Sequence, residues 1–203
     1  MQGMLFKPDV WKAKLRVLEE YGEAQTRRVI KPQPTFDDGV WEWKTGRKYG
    51  LTSESCNDEP AFREILAEHA RYHIGQTYYV KEAYSIRSDN QQTITKREYE
   101  ELKKLLDLPE IPIKWKSPRF MPEEYARHFI TITGIEAERL QSITDREAIA
   151  EGIDFSCTQP YSGCGCNRRA FARLWDSINP KYPWASNPWN FAYSFKLADK
   201  PTG

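Results

Sequence analysis

The sequence predicts an α+β domain in which a mixed sheet curls into a small barrel with helices plugging its ends. Three observations carry this. Phe129 to Arg139 (FITITGIEAER) alternates apolar and polar side chains as a half-buried strand does. Thr77 to Tyr84 (TYYVKEAY) is the stretch richest in β-formers. Helical segments of mixed length separate the strands, with neither a regular βαβ repeat nor a glycine-rich phosphate loop.

The elements follow in chain order. Val10 to Glu20 puts Val10, Leu15 and Leu18 close to one helical stripe, and Tyr21-Gly22 marks its stop. Gln25 to Ile30 reads as a strand ending at Lys31-Pro32-Gln33-Pro34. In the turn-rich segment Lys31 to Ser55, the alternation Val40-Trp41-Glu42-Trp43-Lys44 after Asp38-Gly39 predicts a small surface hairpin. Asp58 to Tyr72 reads as a helix with Pro60 in its first turn. Ile74-Gly75-Gln76 then turns the chain into the strand at Thr77. A helix is expected from Lys96 to Leu106. Thr144 and Glu147 fit a capping box, which starts a helix running to Glu151 and closed by Gly152. Arg168 to Ile178 is amphipathic, and Trp189 to Leu197 is a terminal strand after the turn Asn187-Pro188. The expectation is one domain over residues 1–203, with insertions near 36–70 and 88–111.

Composition narrows the function classes. Seven Trp, eleven Tyr and nine Phe in 203 residues argue for a packed core, in which most of the tryptophans are expected. A net charge of +1 excludes a strongly basic DNA coat protein but leaves room for a local basic groove. No apolar run approaches the roughly 20 residues that span a bilayer. The N-terminus also lacks the apolar core of a secretory signal, so no membrane partner and a cytoplasmic location are expected. The four cysteines are then read as reduced thiols.

Several residue groups could carry chemistry. Arg27 and Arg28, adjacent on a strand, point to opposite faces, so one can enter a pocket. Val80-Lys81-Glu82 sets a cation and an anion on opposite faces of an apolar strand. The inward one either pairs with Arg27 or Arg28 in the core, or lines a polar cleft with Thr26. Glu151 sits at a helix C-terminus, where the dipole disfavours a carboxylate, which invites either a functional explanation or a surface salt bridge. Cys157, Cys164 and Cys166 have spacings unlike structural zinc pairs, with a fourth ligand left to Cys56 or a distant histidine. They are read as ordinary loop thiols. His69 and His73 are read as surface histidines at a helix end, not as a metal pair. No metal and no cofactor are expected, and nothing supports a serine or cysteine nucleophile.

Taken in order, the motifs resemble those of phage-type ASCH-domain proteins. They are Thr26-Arg27-Arg28-Val29-Ile30-Lys31-Pro32, Gly75-x-x-Tyr78-Tyr79-Val80-Lys81-Glu82 and Trp115-Lys116-Ser117-Pro118-x-x-Met121-Pro122. Glu138-Arg139-Leu140-Gln141-x-Ile143-Thr144, Ala148-x-Ala150-Glu151-Gly152-Ile153, Leu174-Trp175-Asp176-Ser177-Ile178-Asn179 and Asn187-Pro188-Trp189 follow. The match spans most of the chain apart from Val40–Glu68 and Ser88–Ile111. The resemblance implies a PUA-like barrel with a cleft suited to RNA or modified nucleosides. A small ASCH enzyme of bacteria hydrolyses the amide of acetylated cytidine with a lysine, a threonine and a glutamate, around a motif resembling G-R-K-T-x-T-x-R. Laid onto this chain, the threonine falls on Thr26, the glutamate on Glu151 and the lysine position on Glu23. A carboxylate brings the wrong charge for that lysine's task. The resemblance therefore implies loss of the hydrolysis, its rescue by Lys81 or Lys31, or Glu23 as general base.

The first functional expectation is a domain that binds nucleic acid, RNA foremost, or a modified nucleotide in the barrel cleft. Arg27 and Arg28 would meet phosphate or a base edge, with Glu23, Glu82, Trp115, Lys116, Ser117 and Trp189 also lining the site; Tyr78 and Tyr84 are further stacking candidates. The alternative is an amidohydrolase of acylated nucleosides with Thr26 as nucleophile, Glu151 as acid/base and Lys81 as helper. A third is a non-catalytic phage accessory or morphogenesis protein. If phage-encoded, the protein would work in the host cytoplasm.

Overall fold

The computed structural model describes residues 1–43, 47–49, 58–86, 93–107, 109, 112–154 and 165–201. The chain begins with β1 (Gly3–Leu5), α1 (Pro8–Tyr21) and β2 (Ala24–Val29), continues through β3 (Thr35–Asp37), β4 (Val40–Trp43) and β5 (Arg47–Tyr49), and enters α2 (Glu59–Glu68). Then come β6 (Thr77–Lys81), β7 (Tyr84–Ile86), β8 (Thr93–Thr95), α3 (Lys96–Leu106) and β9 (Phe129–Arg139). The chain ends with α4 (Asp145–Ala150), α5 (Cys166–Ile178) and β10 (Trp189–Ala198). The class is α+β, as expected. Among the described residues no helix is long and apolar enough to cross a membrane.

The main sheet has the order β1-β6-β9-β10-β2, with β1 parallel to β6 and the other pairs antiparallel. It does not close into a barrel. The two ends of the order, β1 and β2, share no ladder. In place of strand pairing, the Arg28 guanidinium on β2 donates from Nη2 to the Leu5 carbonyl of β1, at 2.6 Å. A three-residue β1, held parallel to β6, offers too little edge to complete the closure that the sequence suggested.

Each face of the sheet has its own core. On the inner face Ala24 of β2, Ile132 of β9 and Phe191, Tyr193 and Phe195 of β10 pack with Trp11, Val17 and Leu18 of α1. On the outer face Val29 and Leu140 pack with Ala148 of α4 and with Phe171 and Trp175 of α5. The β3-β4-β5 sheet is more than a surface hairpin. Trp41 stacks on Phe62 of α2 with centroids 4.5 Å apart, and both meet Trp189 edge-on. The segment near 36–70 thus covers one end of the inner core. Five of the seven tryptophans are buried, in line with the expectation from composition.

Local signals set the helix ends that matter for the site. Pro8 opens α1, and Gly22, with φ +76°, ends it by donating its N–H to Leu18 O. The Thr144–Glu147 capping box forms as predicted, and α4 stops at Glu151. Gly152 follows with φ +91°, where a Cβ would lie 2.8 Å from Ala13 Cβ on α1. Glycine is therefore needed both for the backbone conformation and for the approach of α1 to the α4 cap. Gly152→Ala is expected to destabilise the fold by about 1–3 kcal/mol in urea unfolding. A variant as stable as the parent would show that this approach is not constrained.

Candidate functional site

The site is built where α1 and the end of α4 meet β2. The buried stripe of α1 is Trp11, Lys14, Val17 and Leu18, so a lysine takes a core position. Lys14 is 0% exposed. Its Nζ donates to Glu151 Oε2 at 2.5 Å, to the Glu151 carbonyl at 2.7 Å and to the Gln25 carbonyl. All three ammonium protons are thus used. Burial drives its pKa down to about 8, opposed by the Glu151 carboxylate and assisted by the charges of Arg28 and Arg27.

The cap position of Glu151 now has a physical reason. Its second oxygen, Oε1, accepts from Arg27 Nη1 at 3.2 Å, so two cations hold one buried carboxylate at a helix end that would otherwise repel it. Arg27 also donates from Nε to Glu138 on β9 at 2.8 Å and from Nη2 to Glu147 on α4 at 3.1 Å. Burial opposes the Arg27 charge, but Glu151, Glu138 and Glu147 together raise its pKa above the ordinary arginine value. Glu138 is itself pushed upward by burial despite Arg27. The core pairing weighed between Arg27 or Arg28 and the Lys81-Glu82 pair does not form: Arg27 is paired with Glu151, Glu138 and Glu147, and Glu82 with Arg97.

On the opposite face of β2, Thr26 and Arg28 share the parity of the core residue Ala24. Thr26 is 5% exposed and lines a recess of about 80 Å³ with Arg27, Arg28, Glu151, Phe171 and Trp175. Arg27, Arg28, Ile178 and Asn179 also wall a broader groove of about 670 Å³ along the β1–β2 seam. Thr26, Arg27, Arg28 and Glu151 therefore converge. Lys31 lies on the groove, its Nζ 5.2 Å from the Tyr182 ring centroid.

The other expected site residues lie elsewhere. Lys81 Nζ donates to the Arg119 carbonyl at 3.1 Å and sits over Tyr79, lining neither the recess nor the groove. The inward member of its pair is Glu82, which is buried against Arg97 of α3 at 3.2 Å and His128 at 3.5 Å. Trp115 packs on Tyr99, Lys116 bridges the Tyr84 backbone, and Ser117 accepts from the Arg119 N–H. Trp189 is 0% exposed in the inner core, so it is no stacking platform. Glu23 accepts from the Thr133 hydroxyl and lines a separate surface pocket with Gln25 and Glu147. Tyr78 and Tyr84 are both buried, their hydroxyls donating to Gln76 Oε1 and the Phe120 carbonyl. His69 closes α2 and packs against Trp43. Cys56, Cys157 and Cys164 lie outside the described residues, and among those described no cluster of metal-ligating side chains occurs.

Lys14, Glu138, Glu147 and Arg71 were missed. Lys14 did leave a signal: it lies three residues after Trp11 and four before Leu18, inside the apolar stripe of an amphipathic helix. Comparison with protein-family models, curated proteins and solved structures gave no match to this chain.

The Lys14 shift sets the pH dependence of stability. Between about 8 and 10.5 the unfolded lysine is protonated while the folded one is not, so the unfolded state binds more protons and stability rises with pH. The stability gap between parent and Lys14→Met should move in the parent's favour by up to about 3 kcal/mol across that window. A gap independent of pH in urea unfolding would contradict the lowered pKa.

Proposed function

We propose that the recess at β2 hydrolyses an acyl amide on a modified nucleoside, with Thr26 as nucleophile and the Lys14–Glu151 pair as its proton carrier. One observation carries the reading: a buried lysine of lowered pKa is hydrogen-bonded to Glu151 and to the peptide oxygen that immediately precedes Thr26. The resemblance to ASCH-domain proteins, with their PUA-like fold, supports it. It called for a lysine, a threonine and a glutamate, and left Glu23 in the lysine's place. Lys14 supplies that lysine from the preceding helix, without help from Lys81.

The chemistry balances on these groups. Near neutral pH a minor fraction of Lys14, about a tenth at pH 7, carries a neutral amine. As the Thr26 hydroxyl oxygen bonds to the acyl carbon, its proton passes to that amine, and Glu151 stabilises the ammonium formed. The buried cations around the recess favour the developing oxyanion. Collapse breaks the C–N bond, and the leaving amine takes the proton back. Water then cleaves the threonine ester, releasing the acid and restoring the hydroxyl. Arg27 positions Glu151 through its second oxygen.

Incubation with acetylated cytidine and other N-acylated nucleosides, followed by chromatography, tests this. Deacylated nucleoside should form at a rate that climbs with pH through an apparent pKa of about 8. Thr26→Ala and Lys14→Met should each lower the rate at least a hundredfold, as an order-of-magnitude expectation of roughly 10² or more. Turnover untouched by Thr26→Ala removes the nucleophile assignment. Binding of nucleosides without turnover leaves a recognition domain instead.

A further inference from the structure

The groove beside the recess carries its charge pattern beyond the recess itself, to Lys31 and Arg71. Its lining includes Arg27, Arg28, Lys31, Arg71 and His69 and, among the described residues, no aspartate or glutamate. Arg27 is matched by its three carboxylates, so the unmatched cations are Arg28, Lys31 and Arg71. Among the described residues none of the three forms an ion pair, although the Glu151 carboxylate across the recess favours the Arg28 charge. Arg28 donates to the Leu5 carbonyl at 2.6 Å and lies over the Phe6 ring at 5.0 Å, while its Nε is buried with no hydrogen-bond partner. Arg71 faces the Gln2 side-chain oxygen, 2.7 Å from Nε in the amide orientation that satisfies both groups, and stacks on Tyr72. Lys31 has the Tyr182 ring.

Burial, with a contribution from Arg71, lowers the Arg28 pKa below the ordinary arginine value. Tyr193, which also lines the groove, is pushed up to about 12 by burial, so it stays a neutral phenol and adds no competing anion. Forked donors around a wall free of carboxylates suit a tetrahedral oxyanion.

We propose that the β1–β2 groove binds a phosphate group of the ligand whose base enters the recess, making the substrate a nucleotide and not a free nucleoside. The recess half of this statement rests on the proposed hydrolytic reading; the phosphate half rests on Arg28, Lys31 and Arg71. A phosphomonoester on a free nucleotide and a phosphodiester in a single strand present the same oxygens.

Titration calorimetry of the whole chain with cytidine, cytidine 5′-monophosphate, a short single-stranded oligocytidylate and inorganic phosphate tests it. At low salt the monophosphate should bind about tenfold or more tighter than cytidine. Added salt should narrow that ratio, Lys31→Gln with Arg71→Gln should abolish it, and Arg71→Lys should keep most of it. An oligonucleotide that shares the advantage identifies a strand as the source, and one that does not identifies the free nucleotide. Inorganic phosphate binding that depends on Lys31 and Arg71 supports the groove even where no acylated nucleoside is turned over. Equal affinity for cytidine and its monophosphate, a ratio that survives both glutamine substitutions, or no binding of any probe overturns the proposal.

Discussion

A buried ammonium group must find acceptors, and the way Lys14 finds them fixes the geometry of the whole site. Its acceptors come from the edge strand β2 and from the cap of α4, so α1 cannot shift along the sheet without stranding a charge in the interior. Leaving one member of such a pair alone costs about 3–5 kcal/mol, far more than an exposed ion pair contributes. Arg27 extends the constraint to β9 and α4 through Glu138 and Glu147. Gly152 completes it by letting the α4 cap approach α1 at Ala13. Packing and charge thus impose one arrangement, in which Glu151 faces both Lys14 and the recess that holds Thr26.

The open seam follows from the same arrangement. A closed barrel would hydrogen-bond the free edge of β2 and cover the side chains that project from it. Among the described residues β2 pairs with β10 alone, and the Arg28 side chain spans to β1. The gap gives the recess and groove their entrance, and it separates two electrostatic environments. Inside, two cations, Lys14 and Arg27, are set against three carboxylates, Glu138, Glu147 and Glu151. Along the groove, the contacts of Arg28, Lys31 and Arg71 among the described residues are to carbonyl, amide and ring groups.

Elements defined by local signals were legible in the sequence. The alternation in 129–139 is β9 to the residue, 96–106 is α3, and the Thr144–Glu147 box opens α4. Features that depend on distant partners were not. The three residues of β1 carry no periodicity and become a strand only by pairing with β6. Alternation showed that one of Lys81 and Glu82 must face inward, but the cation that meets Glu82 is Arg97, on a helix in the segment near 88–111. Trp189 was expected to line the site, and the cover that buries it, from Trp41 and Phe62, comes from the distant segment near 36–70. Of the residues that converge at the recess, Glu151 stood out by its place at a helix C-terminus and Arg27 and Arg28 as adjacent arginines on a strand, while Thr26 entered beside them and through the family resemblance. Lys14 was overlooked because a lysine on an amphipathic helix usually marks the solvent side, whereas here it interrupts the apolar one.

The central claim is that Lys14 is a buried, carboxylate-paired amine poised near neutrality. Carbon and nitrogen NMR of the protein labelled at lysine, with Lys14→Met to assign the signal, measures its titration directly. A Lys14 resonance that titrates near pH 8 agrees with the account. A midpoint at the ordinary lysine value of about 10.4 would contradict it, and with it the assignment of Lys14 as proton carrier.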